Sequence, residues 1–271
     1  MASVYLPDAT SSANFHSQAF DTSYVSVAGN YSRDDGNAHY PTTTSWYYLS
    51  GMDLVPTAAR GTVVAFGDSI TDGFNTPIGA DQRWPDDLAR RLSAAGTPMG
   101  VVDAGIGGNR ALTDVPNIWQ GVSALKRFTH DALGQPGVRT VLLLEGVNDL
   151  HAKVNTAGGT LTAQDLITGY QQLITQAHRA GVRLIGGTIM PDRENTTSEA
   201  IRQAVNTWIR TGGAFDGVVD FDQAMADLAN PHALTAAYDS GDLLHPNAIG
   251  MQAMANAVNL RLLSWKPSTR K

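Results

Sequence analysis

A chain of 271 residues with 19 Lys and Arg against 25 Asp and Glu carries a net charge of −6 and no basic stripe, which argues against binding a phosphate backbone. Its 42% hydrophobic and 16% charged residues are those of an ordinary globular protein. That length allows one large α/β domain or about 200 residues plus a smaller unit. No apolar run approaches the roughly 20 residues that span a bilayer, and the absence of cysteine excludes disulfides, thiol catalysis and cysteine-ligated metals.

The start, Met1-Ala2-Ser3-Val4-Tyr5, has neither the charged nor the apolar region of a signal peptide. It reads as a cytoplasmic protein or as a mature form with an added Met. Residues 1–60 hold six of the eight tyrosines, many Ser and Thr, and no Lys. Tyr24-Val25-Ser26-Val27 and Ser45-Trp46-Tyr47-Tyr48-Leu49 have the alternation or clustering of strands. Gly29-Asn30 and Asp34-Asp35-Gly36-Asn37 supply turns between them. We expect a small β-rich segment, joined through Val55 to Gly61 to a second unit over 61–271. Its few strands could hardly bury a core alone. It packs on the main unit, pairs with a second chain as a homo-oligomer, or forms the last part of a larger module.

From Thr62 strands and helices alternate. The apolar run Val63-Val64-Ala65-Phe66 breaks off at Gly67-Asp68-Ser69, as when a buried parallel strand presents a hydroxyl at its carboxyl end. A helix opens at Trp84-Pro85-Asp86-Asp87 and stops at Gly96. Met99 to Asp103 is the next strand; a helix follows within Asn117 to Leu133, then the strongest strand, Val138 to Leu144. Thr162-Ala163-Gln164-Asp165 reads as a capping box, with Leu166, Tyr170, Leu173 and Ala177 on one face and Gly181 as the stop. Val182 to Ile185 is a fourth strand. Thr196 to Glu199 caps a helix bearing Ile201, Val205 and Trp208, Gly217 to Asp220 is a fifth strand, and a last helix runs from about Asn247. Five strands alternating with helices imply a doubly wound parallel sheet.

Ligands bind such sheets beyond the carboxyl ends of the strands. Three strands end there in unusual loops: Gly67-Asp68-Ser69, Asp103 to Arg110, and Glu145-Gly146-Val147-Asn148-Asp149. Backbone N–H groups near Ser69 and Gly108, with the Asn148 amide, would give an oxyanion three donors. A base is still needed. Of seven histidines only His245, in Asp242-Leu243-Leu244-His245-Pro246-Asn247, has an acid placed to orient it, with Pro246 expected to start the last helix.

Gly67-Asp68-Ser69-Ile70, Gly107-Gly108-Asn109, Gly146-x-Asn148-Asp149 and Asp242-x-x-His245-Pro246 resemble, in order, the four blocks of the SGNH (GDSL-type) serine hydrolases. The resemblance spans about residues 62–264 and rests on the four blocks jointly. It implies a flavodoxin-like three-layer α/β/α fold with a five-stranded parallel sheet. It also implies ester hydrolysis through an acyl-enzyme, with no metal or other cofactor. Ser69 would be the nucleophile, His245 the base and Asp242 its orienting acid, while Ser69 N–H, Gly108 N–H and Asn148 Nδ2 form the oxyanion hole. The look-alikes are bacterial esterases and lipases, mostly secreted; several carry a larger N-terminal β-rich module whose last portion residues 1–60 resemble.

Other readings carry less weight. Ser69 as a mere helix cap would leave the other three blocks unexplained. Arg110 stands where a dinucleotide fingerprint needs its last glycine, and the G-x-S-x-G elbow is absent. Asp68 and Asp149 read as structural acceptors in their loops, and Arg110 as a brace. His151 either lines the pocket or is exposed. His130 and His178 fall on helix surfaces, while His16, His39 and His232 show no partner spacing or metal pattern. The expected substrate is a small-molecule or carbohydrate ester with a short acyl chain, because no long apolar lid interrupts the main unit. Acyl transfer by the same residues, and a non-catalytic carbohydrate-binding or assembly protein, are the alternatives.

Overall fold

The structure, a computed structural model, describes residues 2–34, 40–55, 60–115, 117–192 and 196–263. Its centre is one parallel sheet of five strands, β5 (Thr62–Gly67), β6 (Gly100–Gly105), β7 (Val138–Leu144), β8 (Arg183–Gly187) and β9 (Gly217–Val219), in the order β6-β5-β7-β8-β9. This is the flavodoxin-like order, with its switch point between β5 and β7. From Val63 to Gly67 every residue of β5 is buried, as expected for a strand covered on both faces. A Cβ at Gly67 would collide with the Thr71 side chain and the Leu144 carbonyl, so only glycine lets the chain turn there into α1 (Ser69–Asp72).

The helices cover both faces. On one, α2 (Trp84–Ala94) and α7 (Phe221–Met225) pack on α8 (Ala248–Ala257); on the other, α3 (Ala124–Phe128), α5 (Ala163–Arg179) and α6 (Thr196–Thr211) lie together, with α4 (Val147–Ala152) against α6. Helix α2 buries Trp84, Leu88 and Leu92, one residue per turn. Helix α5 opens on the expected box: Thr162 accepts from Asp165 N–H and the Asp165 carboxylate accepts from Thr162 N–H. Thr196, expected as the cap, is already the first residue of α6. Pro246 does not start α8. It bridges to Asp239, and Asn247 caps the helix by accepting from Ile249 and Gly250 N–H. Asparagine is the better cap because its side-chain oxygen reaches the first free N–H groups.

Before β5 the chain forms two pairs of two-residue antiparallel strands: β1 (Phe15–His16) with β4 (Trp46–Tyr47), and β2 (Ser23–Tyr24) with β3 (Thr42–Thr43). They are shorter than the expected strands, and β1 finds its partner 30 residues on. The expected turn over Asp34–Asn37, the join over Val55–Gly61 and His39 lie partly or wholly outside the described residues. This segment packs on the sheet domain. Ala19 is fully buried and its carbonyl accepts from the Arg83 guanidinium, Gly79 N–H donates to Phe20 O, and His16 meets Asp72. Among the described residues no helix is long and apolar enough to cross a membrane.

Candidate active site

Ser69 is the first residue of α1, two residues beyond the strand end. Its cap is Asp68, whose buried carboxylate accepts from Ile70 N–H at 2.9 Å. Only 8% of Ser69 is exposed. Its Oγ lies 2.8 Å from His245 Nε2, and His245 Nδ1 lies 2.7 Å from Asp242 Oδ2. A carboxylate only accepts, so Nδ1 carries the proton and Nε2 presents its lone pair to the serine hydroxyl.

The loop that supplies His245 is held by its own acids. Asp242 Oδ1 accepts from Leu244 and His245 N–H at 3.0 and 2.8 Å, and Asp239 accepts from Gly241 and Leu243 N–H. Ser240 N–H donates to His245 O, closing the turn. Burial alone would raise the Asp242 carboxyl, but the donors of His245 outweigh it and hold it below the usual carboxylate range. Asp242 is therefore ionised near neutrality and stabilises a proton on the imidazole.

Two residues that sequence reasoning missed complete this side. Phe74 tilts against the His245 ring with centroids 4.6 Å apart and meets Phe20 edge to face at 5.8 Å. Asn75, with φ at 65°, donates to Ser240 Oγ and to Asp242 Oδ2 at 3.2 Å. The left-handed turn that α1 makes at Gly73 aims both at the histidine loop. A Phe-Asn pair after a glycine cap carries no chemical signature of that contact.

The other side comes from the loops after β6 and β7. Gly108 has φ at 71°, a conformation glycine adopts freely, and a Cβ there would strike the Gln120 side chain. Asn148, in the first turn of α4, donates from Nδ2 to Asn109 O at 2.9 Å, so one amide hydrogen is held and the other is left to the site. Asn109 is fully buried, donating to Gln120 O and Val122 O. Asp149 accepts from Ala111 and Leu112 N–H at 2.7 and 3.0 Å, and burial pushes its carboxyl up to about 6. Arg110 donates to Thr113 Oγ1 at 3.4 Å, and its charge favours the ionised form of Asp149.

Beneath these loops lies a buried ionic knot that sequence reasoning also missed. Arg127, 4% exposed, donates to Asn109 Oδ1, Ala104 O and Gly67 O at 2.8–2.9 Å and stands 3.4 Å from Glu145 Oε1, its guanidinium 3.9 Å from the Phe66 ring centroid. It thus ties the carboxyl ends of β5 and β6 to the loop that carries Gly108. Burial and the nearby Asp68 charge hold Glu145 well above the usual carboxylate range, and burial likewise raises Asp68. With one arginine beside the buried acids Glu145, Asp68 and Asp149, mutual repulsion adds to burial in favouring a proton on some of them.

The remaining histidines divide. His130 and His178 are exposed and pair with Asp131 and Asp216. His151 lies 2.7 Å from the buried Asp192 carboxylate, and His232 meets Glu199. His16, expected without a partner, meets Asp72 at 3.0 Å, because the N-terminal segment returns across α1. Among the described residues no cluster of acids and histidines could hold a metal ion.

The family described as GDSL-like Lipase/Acylhydrolase matches residues 65–253. No curated protein matches the sequence. Solved structures share the fold at low identity. A GDSL-like lipase from Bacteroides thetaiotaomicron is 19% identical with a TM-score of 0.55, over 75% of this chain and 88% of its own. An acetylxylan esterase from Geobacillus stearothermophilus is 18% identical with a TM-score of 0.56, over 77% of this chain and 96% of its own. A psychrotrophic esterase from Pseudoalteromonas sp., inhibited by monoethylphosphonate, is 16% identical with a TM-score of 0.54, over 73% and 93%.

Proposed function

Because the chain belongs to the GDSL-like lipase/acylhydrolase family, we propose that it is a serine esterase that works through an acyl-enzyme on Ser69. The observation that carries this reading is the unbroken series Ser69 Oγ, His245 Nε2, His245 Nδ1, Asp242 Oδ2, with steps of 2.8 and 2.7 Å. His245 Nε2 takes the hydroxyl proton as Ser69 Oγ attacks the ester carbonyl carbon, and Asp242 stabilises the imidazolium that forms. The oxyanion is received by Ser69 N–H at the start of α1, by Gly108 N–H and by the remaining Asn148 Nδ2 hydrogen. The alcohol leaves with the proton from His245. Water then gives its proton to His245 and attacks the acyl carbon, and Ser69 leaves reprotonated with release of the acid.

The acyl group is short, acetyl included. Phe74 and Phe20 close the histidine side of the site, and the sequence of the main unit has no long apolar run to form a lid over an extended chain. Turnover of p-nitrophenyl acetate by Ser69→Ala should fall by several orders of magnitude, with the thermal midpoint unchanged within a few degrees. Near-normal turnover in that variant overturns the assignment. A phosphonate probe that labels the wild type and spares Ser69→Ala reports the activated serine directly. A series of p-nitrophenyl esters whose kcat/KM peaks at long acyl chains overturns the short-chain part.

A further inference from the structure

Between the N-terminal segment and the β6 edge of the sheet lies a cavity of about 350 Å³, at the small end of the roughly 300–1,000 Å³ typical of ligand sites. His16, Trp46 and Tyr48 form one wall, and Asp72, Asp86 and Asp103 the other. It adjoins the catalytic constellation. Asp72 is three residues after Ser69 on the same helical turn, and its Oδ2 approaches Gly107, whose added Cβ would lie 3.8 Å away. Gly107 leads directly into Gly108, so the cavity opens beside the loop assigned to the oxyanion.

We propose that this cavity binds the alcohol part of the ester, and that this part is a saccharide, whose hydroxyls meet the open carboxylate oxygens while a ring face lies on Trp46 and Tyr48. The inference rests on the esterase reading above. Two of the acids are anchored by one oxygen, Asp86 Oδ2 accepting from Arg83 N–H and Asp103 Oδ1 from Gly105 N–H, whereas both oxygens of Asp72 face His16 Nε2. Among the described residues, Asp86 Oδ1 and Asp103 Oδ2 accept no hydrogen bond from the protein, which leaves them open to hydroxyl donors in the cavity. An acyl chain placed here would desolvate them without compensation; a polyol supplies the missing donors. Trp46 and Tyr48, each 38% exposed, present apolar ring surface in the same cavity.

An organic cation is the rival occupant, since carboxylates and aromatic rings also suit one. Arg83 in the same wall opposes it, its guanidinium buried and fixed to Asp72 O at 2.7 Å. Burial also raises the Asp86 carboxyl, which weakens it as a counter-charge.

The test compares kcat/KM for acetylated xylotriose with kcat/KM for p-nitrophenyl acetate. Trp46→Ala should lower the ratio of the two roughly tenfold, the effect of about 1.4 kcal/mol, and Trp46→Phe should restore most of it. Using a ratio removes any loss from imperfect folding. Unesterified xylotriose should quench the tryptophan fluorescence of Ser69→Ala protein, and Asp103→Asn in that background should weaken the binding. Turnover of both esters with a ratio indifferent to Trp46, and no xylotriose binding, overturns the saccharide assignment and leaves the esterase reading standing. Failure to turn over either ester overturns the esterase reading itself. Preference for acetylcholine over acetylated xylotriose, lost in Trp46→Ala, replaces the saccharide by a cation.

Discussion

Replacing Arg127 by methionine keeps an apolar side chain at this buried position but removes the guanidinium that lies on Phe66, binds Asn109 Oδ1, Ala104 O and Gly67 O and faces Glu145. Gly67 O keeps the Ile106 N–H, whereas Asn109 Oδ1 loses its donor and Glu145 its cation. An unsatisfied buried acceptor costs roughly 1–3 kcal/mol, and breaking a buried ion pair about 3–5 kcal/mol. Glu145 relieves part of this by taking a proton, as its raised pKa already favours. The expected loss is about 4 kcal/mol, a large share of the roughly 5–15 kcal/mol that holds a typical domain. Urea unfolding followed by tryptophan fluorescence measures it. Function should follow by a defined route: Asn109 O anchors the Asn148 amide, so a loosened Asn109 should lower kcat more than it raises KM. Arg127→Lys, which keeps the charge but not the planar fork, should recover stability better than kcat. A methionine variant within about 1 kcal/mol of the wild type, at unchanged kcat, refutes the claim that Arg127 holds the oxyanion loop.

Asn148→Ala removes one oxyanion donor and should lower kcat by about 10²–10³ with little change in KM; a loss confined to KM removes that role. Asp242→Asn should cost up to about 10⁴ in kcat, because an amide that donates to Nδ1 imposes the wrong tautomer on His245, and an activity within a few-fold of wild type would show that Asn75 and Phe74 suffice to orient the ring. Asp149 has a raised pKa of about 6, so the folded protein holds its proton more tightly than the unfolded chain does. Its ionisation therefore subtracts stability as pH rises from about 4 to 6. The stability of the wild type relative to Asp149→Asn should fall by about 2 kcal/mol between pH 4.5 and pH 7, and a difference that is flat with pH, measured by urea titration, contradicts the buried-carboxyl picture.

Much of the fold was legible because its signals are local. The buried run from Val63 to Phe66, the Thr162–Asp165 box and the alternation of strands with helices each depend on a few neighbouring residues, and alternation alone limits the sheet to a parallel one. The four blocks around Ser69, Gly108, Asn148 and Asp242–His245 were legible for a related reason. A reactive group needs a sharp turn and a fixed neighbour, and glycine, asparagine and an acid three residues from a histidine are the residues that provide them. The short strands at the N-terminus were harder. Their pairing depends on a partner about 20 or 30 residues away, and their lengths on how the segment meets the sheet domain.

What composition and spacing by themselves determined is therefore the chemistry on offer: a hydroxyl, an imidazole with its acid, and amide donors at the ends of parallel strands. Only the tertiary structure decided what holds that chemistry in place and what lies beside it. Arg127, on α3, reaches Gly67 and Ala104 at the ends of β5 and β6 and Asn109 in the loop beyond, positions 18 to 60 residues away in the chain. Asn75 reaches Asp242 across 167 positions, and His16 and Trp46 meet Asp72 and Asp103 around one cavity. The reason is physical. Side-chain periodicity reports which face of an element is buried, but contacts between distant segments follow from how whole elements pack, and no local pattern encodes them.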